Sequence, residues 1–257
     1  MKISGTIIAL NEAENIRDCV ESAFKVCDEV LVVVDSKTND DTAQIAEKCG
    51  ARVYHQEYLG DGPQKAFAVP LATNNWILSI DADERLDDDA IKEIKEIKAL
   101  DLENSSYDAY ALRRKNYVGN HWIKAAGFYP DHVTRLYDRR KTGYLPKKGH
   151  SYVDAGNIRR LTGHLIHTTY NDYTHWIERI NALSTRDAWA MYESGKRPGR
   201  LAPATHAFTA FIRKFIIKGG MFQGIDGLTV TITTVFRTYF KYLKLLEMIE
   251  RHDQEEP

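Results

Sequence analysis

Residues 76–84 read WILSIDADE, an apolar run that ends on two carboxylates, Asp81 and Asp83, set two positions apart. Residues 76–80 have the composition of a buried strand, and two aspartates at its carboxyl end can share one hard divalent cation. Position matters more than the triplet, because ligands of an open α/β sheet gather outside the carboxyl ends of its strands. A second Asp-x-Asp, at Asp87 and Asp89, opens the next predicted helix, where acidic side chains complement the helix dipole. That helix runs to about residue 100 and carries Ile91, Ile94 and Ile97 on one stripe. A solvated turn is the competing reading of Asp81 and Asp83.

Upstream, strand-like and helix-like segments alternate, the pattern of a mostly parallel sheet covered by helices. Residues 3–9 read as a strand, and residues 11–27 place Ile16, Cys19, Val20, Ala23, Phe24 and Cys27 on one helical face. Residues 30–34 are a β-branched run ending at Asp35; a polar turn over 36–41 then leads into a helix that stops at Gly50. A short strand over 52–55 follows, and a loop with Gly60, Gly62 and Pro63 introduces a helix near Gln64. Asn11, Glu12 and Asp35 therefore share an edge with Asp81. Carboxylates collected at one edge repel one another, which a metal or a donor-rich ligand between them relieves. Asp35 and Glu12 can accept hydrogen bonds from a base or a ribose, although Asn11 and Asp41 also sit where helix N-caps belong. Gln64 and Lys65 stand at a helix start, where backbone donors and a cation meet a phosphate oxygen; the plainer reading of Lys65 is a solvated surface lysine. No GxGxxG follows the first strand and no GxxxxGK[ST] occurs, which disfavours a dinucleotide oxidoreductase and a P-loop enzyme.

Downstream, residues 107–166 read as several shorter strands separated by long polar loops. One loop, residues 127–135, reads GFYPDHVTR and sets Asp131 and Arg135 beside Phe128 and Tyr129. An acid next to aromatic surface can be partly desolvated and become a usable base; otherwise Asp131 is an ordinary turn carboxylate. His150, Asp154 and His167 are further polar candidates. After residue 173 the chain reads as helical, and Pro198, Gly199 and Pro203 mark a boundary near residue 200, giving a domain over 1–200 and an extension over 201–257. Residues 201–249 hold six Lys or Arg against two acidic residues, among many Phe, Ile and Tyr positions. Such a composition suits amphipathic helices resting on an anionic membrane surface, or a helical appendage packing on the first domain or on a second subunit.

The whole chain has 257 residues, 43% apolar and 28% charged, with 35 basic against 36 acidic side chains. This is the composition of a folded protein, and its net charge of −1 gives no overall attraction to nucleic acid. Cys19, Cys27 and Cys49 form neither a CxxC pair nor zinc-ligand spacing, which points to a reducing cytoplasm. The apolar start breaks at Asn11 and Glu12, too early for a signal peptide, and no run of about 18 apolar residues predicts a membrane-spanning helix.

Taken together, NEAENI after the first strand, VVVDSKTNDDT, the Gln64-Lys65 helix start and WILSIDADE resemble the family 2 glycosyltransferases with the GT-A nucleotide-diphospho-sugar transferase fold, over about residues 3–170. GFYPDHVTRLY, LTGHLIH and the basic aromatic C-terminal segment further resemble lipopolysaccharide core glucosyltransferases that act on an inner-core heptose. The resemblance implies a UDP-sugar donor, UDP-glucose in particular, and a lipid-linked saccharide acceptor. It implies that Ala9, Asn11, Glu12 and Asp35 line a uridine pocket and that Lys65 approaches the diphosphate. Asp81 and Asp83 would bind the diphosphate through Mg2+ or Mn2+, His167 would complete the metal site, and Arg135 would supply a second cation. An inverting transfer would follow, with a carboxylate deprotonating the acceptor hydroxyl.

Two positions depart from the pattern. Relatives carry a DSGST turn where this chain has DSKTN, with Lys37 and Asn39, and His-Glu where it has His150-Ser151. With that glutamate absent, Asp131 is the expected base and Asp154 the second choice. A nucleotidyltransferase would show a Gly-rich basic loop after the first strand, where this chain has ALNEAEN, and a noncatalytic adaptor on the same fold would bind UDP without turnover. The expected location is the cytoplasm, peripheral on the inner face of a bacterial inner membrane.

Overall fold

Four strands form the parallel half of the sheet: β1 (Ile3–Ala9), β2 (Glu29–Asp35), β3 (Arg52–Gln56) and β4 (Trp76–Asp81), in the spatial order β3-β2-β1-β4. The computed structural model describes residues 1–100, 106–144 and 152–253. From β1 the chain turns through α1 (Ile16–Phe24) to β2 on one side, whereas β4 lies on the other side of β1, with Ile8 opposite Asp81. Connections that leave in opposite directions open a crevice at the carboxyl ends of β1 and β4. The remaining helices of this half are α2 (Thr42–Lys48), α3 (Asp61–Ala68) and α4 (Asp88–Ala99).

Side chains alternate across the sheet with the strand period. Ile3, Ile7, Val32, Val34, Leu78 and Ile80 face α1 and α4, where Ile16, Val20 and Ile94 complete a fully buried core. Leu31, Ile77 and Tyr137 face the other way, into a smaller cluster with Tyr144 and Val153.

The sheet continues with β5 (Glu84–Leu86), β6 (Ala109–Val118), β7 (His121–Trp122), β8 (Asp131–Asp138) and β9 (Ile158–Tyr170), in which β8 runs antiparallel to β4 and β6, β7 to β6, and β5 to β9. Its order is β3-β2-β1-β4-β8-β6-β9-β5, with β7 beside β6. The expectation of short strands between long loops over 107–166 is thus corrected, since β6, β8 and β9 run for 10, 8 and 13 residues. Asp131 and Arg135 lie on β8 and not on a loop, because Gly127 and Pro130 close the turn before the strand begins.

Two helix starts also differ from expectation. Asn11 does not cap α1: its backbone is left-handed, at φ 53°, and a turn in which Glu12 O accepts from Asn15 N and Ile16 N delays the helix to Ile16. Asp41 holds the cap position of α2 without a side-chain cap bond, while Asp40 Oδ1 accepts from Thr42 N at 3.0 Å.

Residues 1–115 and 130–168 form one compact unit, and residues 116–129 and 169–257 form a second. The second contains α5 (Tyr173–Glu193), α6 (Ala202–Phe211), a π-helical segment (Ile212–Ile217) and α7 (Gly224–Asp253). The composition break near residue 200 falls inside this unit, between α5 and α6. Its core joins Val118, Ile123 and Ala126 to Trp176, Ile180 and Val230. Among the described residues, no helix is long and apolar enough to cross a membrane.

Helix α4 is clamped to β9 in the first unit. Glu93 accepts from Thr162 N and Gly163 N at 2.9 and 2.8 Å, and Asp87 accepts from Ala90 N and His164 N, both at 2.9 Å. A Cβ on Gly163 would lie 2.3 Å from Ala90 N and Cα, so only glycine allows this approach. Gly163→Ala is expected to cost about 1–3 kcal/mol, read from the urea midpoint; an unchanged midpoint refutes the tight contact. Burial raises the Asp87 carboxyl, but the His164 and Ala90 amides outweigh it and hold the group below its ordinary value. A depressed folded pKa stabilises above the unfolded value, near pH 4, and that contribution is lost as pH falls through the folded value. Asp87→Ala should therefore cost about 1–2 kcal/mol at neutral pH, with the gap to wild type closing in acid denaturation series.

Candidate active site

Two loops meet at the carboxyl ends of β1 and β2. Asn11 Oδ1 accepts from Asn39 N at 2.9 Å, and Glu12 N donates to Thr42 Oγ1 at 2.8 Å. Ala13 N donates to Asp40 Oδ2 at 3.1 Å, and Glu12 Oε2 accepts from Asn15 Nδ2 at 2.8 Å. Ala9 is buried at the last position of β1. Buried Asp35 closes the turn after β2: its Oδ1 accepts from Lys37 N and its carbonyl from Thr38 N, both at 2.9 Å. Outside glycine, the positive φ values among the described residues belong to Asn11 and Ala126, so neither Lys37 nor Asn39 occupies a conformation that requires glycine. The Lys37 side chain leads outward to Glu57, 3.6 Å away.

Next to this edge stands a network of charges. Lys65, carried by α3, places Nζ 2.8 Å from Asp81 Oδ1 and 3.2 Å from Asp61 Oδ1. Arg135, carried by β8, donates through Nη2 to Asp81 Oδ2 and Glu84 Oε1, both at 2.6 Å. Glu84, 1% exposed, also accepts from Asp81 N at 3.1 Å and from Arg114 Nη1 at 3.4 Å. Arg114 in turn donates through Nε to Asp131 Oδ2 at 2.9 Å, its register partner across β6 and β8. Tyr144 joins through its hydroxyl, 3.3 Å from Arg135 Nη1, and its ring, whose centre is 5.5 Å from Lys65 Nζ. Asp61, Lys65, Asp81, Arg114, Arg135 and Tyr144 border a cavity of about 400 Å³.

Electrostatics follow from this packing. Burial raises the Asp81 carboxyl, yet Arg135 and Lys65 outweigh it and hold the group far below the usual carboxylate range. Burial likewise opposes the charge on Lys65, but Asp81 reverses the balance and raises the ammonium above its ordinary value. Cys19 donates its thiol to Asp81 O at 3.3 Å, and burial pushes that thiol well up, so it is an inert packing group.

The short strand β5 pairs with β9 so that Glu84 lies opposite His167, whose Nε2 is 3.2 Å from Asp83 Oδ2. Among the described residues, no group of three or more His, Cys, Asp or Glu side chains is gathered to hold a metal. Asp83 and His167 offer one carboxylate and one imidazole. That donor set fits a divalent cation taking its other ligands from phosphate oxygens and water, as Mg2+ commonly does. Both Asp81 oxygens accept from cations.

The structure brings Asp81, Lys65, Arg135 and Asp131 into one connected network, and it sets Ala9, Asn11, Glu12 and Asp35 along the same sheet edge. Asp154 is exposed, with its N donating to Gly143 O at 3.2 Å, and has no link to the network among the described residues. His150 and Ser151 lie outside the described residues. Glu84, Arg114, Tyr144 and Asp61 were not expected. Glu84 had a signal in its place three residues after Asp81, which lets it fold back onto that residue's amide; Arg114 had none, because its role comes from strand register.

A model of the Glycosyl transferase family 2 matches residues 5–164. The chain is 31% identical over 257 residues to "Uncharacterized glycosyltransferase RC0292" of Rickettsia conorii, covering 96% of this chain and 90% of that protein. It is 28% identical over 265 residues to "Lipopolysaccharide core biosynthesis glycosyltransferase LpsC" of Rhizobium meliloti, covering 98% and 93%. Among solved structures, TarS 1-349 of S. aureus in complex with UDP-GlcNAc aligns with a TM-score of 0.49 at 16% identity, over 96% of this chain and 89% of that one. The parallel half-sheet, its continuation through β8 and β6 to β9 and β5, and the helical C-terminal part make up the expected α/β architecture, and the chain belongs to glycosyl transferase family 2, as a glycosyltransferase.

Proposed function

We propose that this chain transfers a hexose, glucose from UDP-glucose, with inversion onto a lipid-linked saccharide of the lipopolysaccharide-core type, such as an inner-core heptose. The observation that carries the reading is the Lys65-Asp81-Arg135 network at the carboxyl end of β4. A diphosphate entering beside it meets two buried cations able to exchange Asp81 for phosphate oxygens. The LpsC name supports the acceptor class.

Charge balance supports a metal. Lys65, Arg114 and Arg135 stand against Asp61, Asp81, Asp83, Glu84 and Asp131, so the free site already carries an excess of carboxylates. Asp83 and His167 would hold Mg2+ or Mn2+, which offsets charge growing on the leaving diphosphate. Ala9, Asn11, Glu12 and Asp35 border the uridine, Asp35 and Glu12 as acceptors. Asp131 takes the proton of the acceptor hydroxyl as its oxygen bonds to the anomeric carbon and the bond to UDP breaks, through an oxocarbenium-like transition state. Arg114 orients Asp131 through its Nε and Nη2.

The enzyme works on the inner face of the membrane, with residues 201–257 against anionic lipid. Phe208, Ile217, Phe222 and Ile225 are exposed, Phe222 by 82%, and they lie among the six cations of this segment. Equal sedimentation of the full chain with neutral and anionic vesicles would refute that location.

The deciding experiment incubates the full chain with a panel of UDP-sugars and lipopolysaccharide-core acceptor, with and without Mn2+. Turnover of UDP-glucose to a product of inverted anomeric configuration is expected, and no UDP binding and no sugar transfer in any combination would sink the proposal. Asp131→Asn should lower kcat by about 10²–10⁴ with the KM for donor little changed; near-normal kcat in a folded variant removes Asp131 as base. Asp83→Asn and His167→Ala should each raise the Mn2+ concentration for half-maximal rate by at least about tenfold, a loss that even an outer-shell partner carries; an unshifted metal titration excludes them as ligands.

A further inference from the structure

The helical unit contains a cavity of about 340 Å³ that takes no part in the charge network described above. Arg213 and Lys214 reach it from the π-helical segment, Arg237 and Lys241 from α7, and Asp187 from α5. Phe128, Tyr170 and Trp176 line it with aromatic surface; Tyr170 and Trp176 stack at 5.1 Å with an interplanar angle of 13°.

Four cations thus border one cavity with a single carboxylate. That carboxylate is already committed, since Asp187 Oδ2 accepts from Arg237 Nε and Nη2 at 3.2 and 2.7 Å. Among the described residues, Lys214 Nζ meets only a carbonyl, Ala126 O at 2.8 Å, and the Phe128 ring, 5.8 Å from its centre. Lys241 Nζ lies 4.9 Å from the Tyr242 ring centre, and the Arg213 guanidinium enters no hydrogen bond or ion pair among the described residues, while the Arg213 carbonyl accepts from Lys218 N. The cations also disfavour one another. Burial lowers the Lys214 ammonium, and Arg213 and Lys218 lower it further. Burial lowers Lys241 too; Asp187 opposes the shift, and Arg237, Lys196 and Arg213 add to it.

Clustered cations held partly out of water are unfavourable until an anion joins them. We propose that this cavity binds a phosphate-bearing group, with Arg213, Lys214 and Lys241 as its direct partners. Arg237, fixed by Asp187, is the positioning residue of the wall. A carboxylate would be satisfied by one guanidinium, as Asp187 is, whereas a phosphate offers several acceptor oxygens and more than one charge to converging donors. The threonines of the wall do not compete for this role as donors: Thr233, Thr234 and Thr238 give their hydroxyl protons to helix carbonyls at 2.8, 2.7 and 2.8 Å. Aromatic surface beside the cations suits the carbon skeleton that carries the phosphate, either a sugar ring or the glycerol of a lipid headgroup. The inference uses none of the residues assigned to sugar transfer, while its four cations are among the six of residues 201–257 placed against anionic lipid above, so its lipid-headgroup outcome rests on that location.

The test titrates the full chain, its nucleotide site saturated with UDP, with inorganic phosphate and with glucose 6-phosphate by calorimetry. In parallel, sedimentation compares phosphatidylcholine vesicles with and without phosphatidylglycerol. Wild type is expected to bind phosphate, and Arg213→Gln/Lys241→Gln to bind it at least tenfold more weakly with unchanged Tm and UDP affinity. Lys241→Met is the second variant, expected to lose part of the affinity should the double variant not fold. Glucose 6-phosphate binding tighter than inorganic phosphate, with vesicle binding the same in variant and wild type, identifies a phosphorylated sugar. Loss of phosphatidylglycerol binding in the variant, with no preference for the sugar phosphate, identifies a lipid headgroup. Phosphate binding equal in variant and wild type, or none by wild type at millimolar concentration, overturns the inference. A chain inactive on every UDP-sugar that still binds phosphate through these residues would retain this site and lose the transferase proposal.

Discussion

Asp81 carries a charge that burial opposes, and three separate elements must dock correctly to keep it. Lys65 arrives on α3 and Arg135 on β8, while Glu84 returns on β5 to hold both Arg135 and the Asp81 amide. Taking a carboxylate and a guanidinium out of water costs several kcal/mol for each ion, and only close pairing offsets it. The antiparallel pairing of β8 with β4, Leu136 opposite Leu78 and Tyr137 opposite Ile77, therefore does more than extend the sheet. It fixes the strand that brings Arg135 to the end of β4. A shift of one residue would turn Arg135 to the opposite face and leave Asp81 with Lys65 alone.

The same network joins two regions that are far apart in sequence. Glu84 touches Arg114 and Arg135, and Arg114 touches Asp131, so the carboxyl end of β4 is coupled to the start of β8 without any continuous loop. Charge is relayed through guanidinium groups, whose planar donors can serve two carboxylates at once. Lys65 has a different part, as a single ammonium on a helix that also carries Asp61 in its first turn.

The parallel half of the fold was legible because its signals are local. Apolar runs of strand length alternated with helical stripes, and their ends carried Asp35 and Asp81. The second half of the sheet was less legible, since β6, β8 and β9 mix charged residues with apolar ones and resemble polar loops until they are paired. The loop reading of Asp131 failed for that reason. Arg114 and Tyr144 depend wholly on register and tertiary approach, which leave no mark in a single sequence. Asn11 stood in a plausible capping position, but its left-handed backbone and its bond to Asn39 N are properties of two loops meeting. The basic character of the last segment was visible; its gathering around one cavity was not, because Arg213 and Lys241 come from different helices.

Ala82 and Asp83 occupy a loop closed by the Asp81 amide on Glu84 and by Thr168 N on Asp83 O at 3.0 Å. Such closure sets the loop by length as much as by residue type. An inserted residue would leave the Asp-x-Asp triplet intact while moving Glu84 off Arg135 and Asp83 off His167. The length of this stretch is thus held as tightly as the identities of Asp81, Asp83 and Glu84, since either kind of change undoes the same contacts.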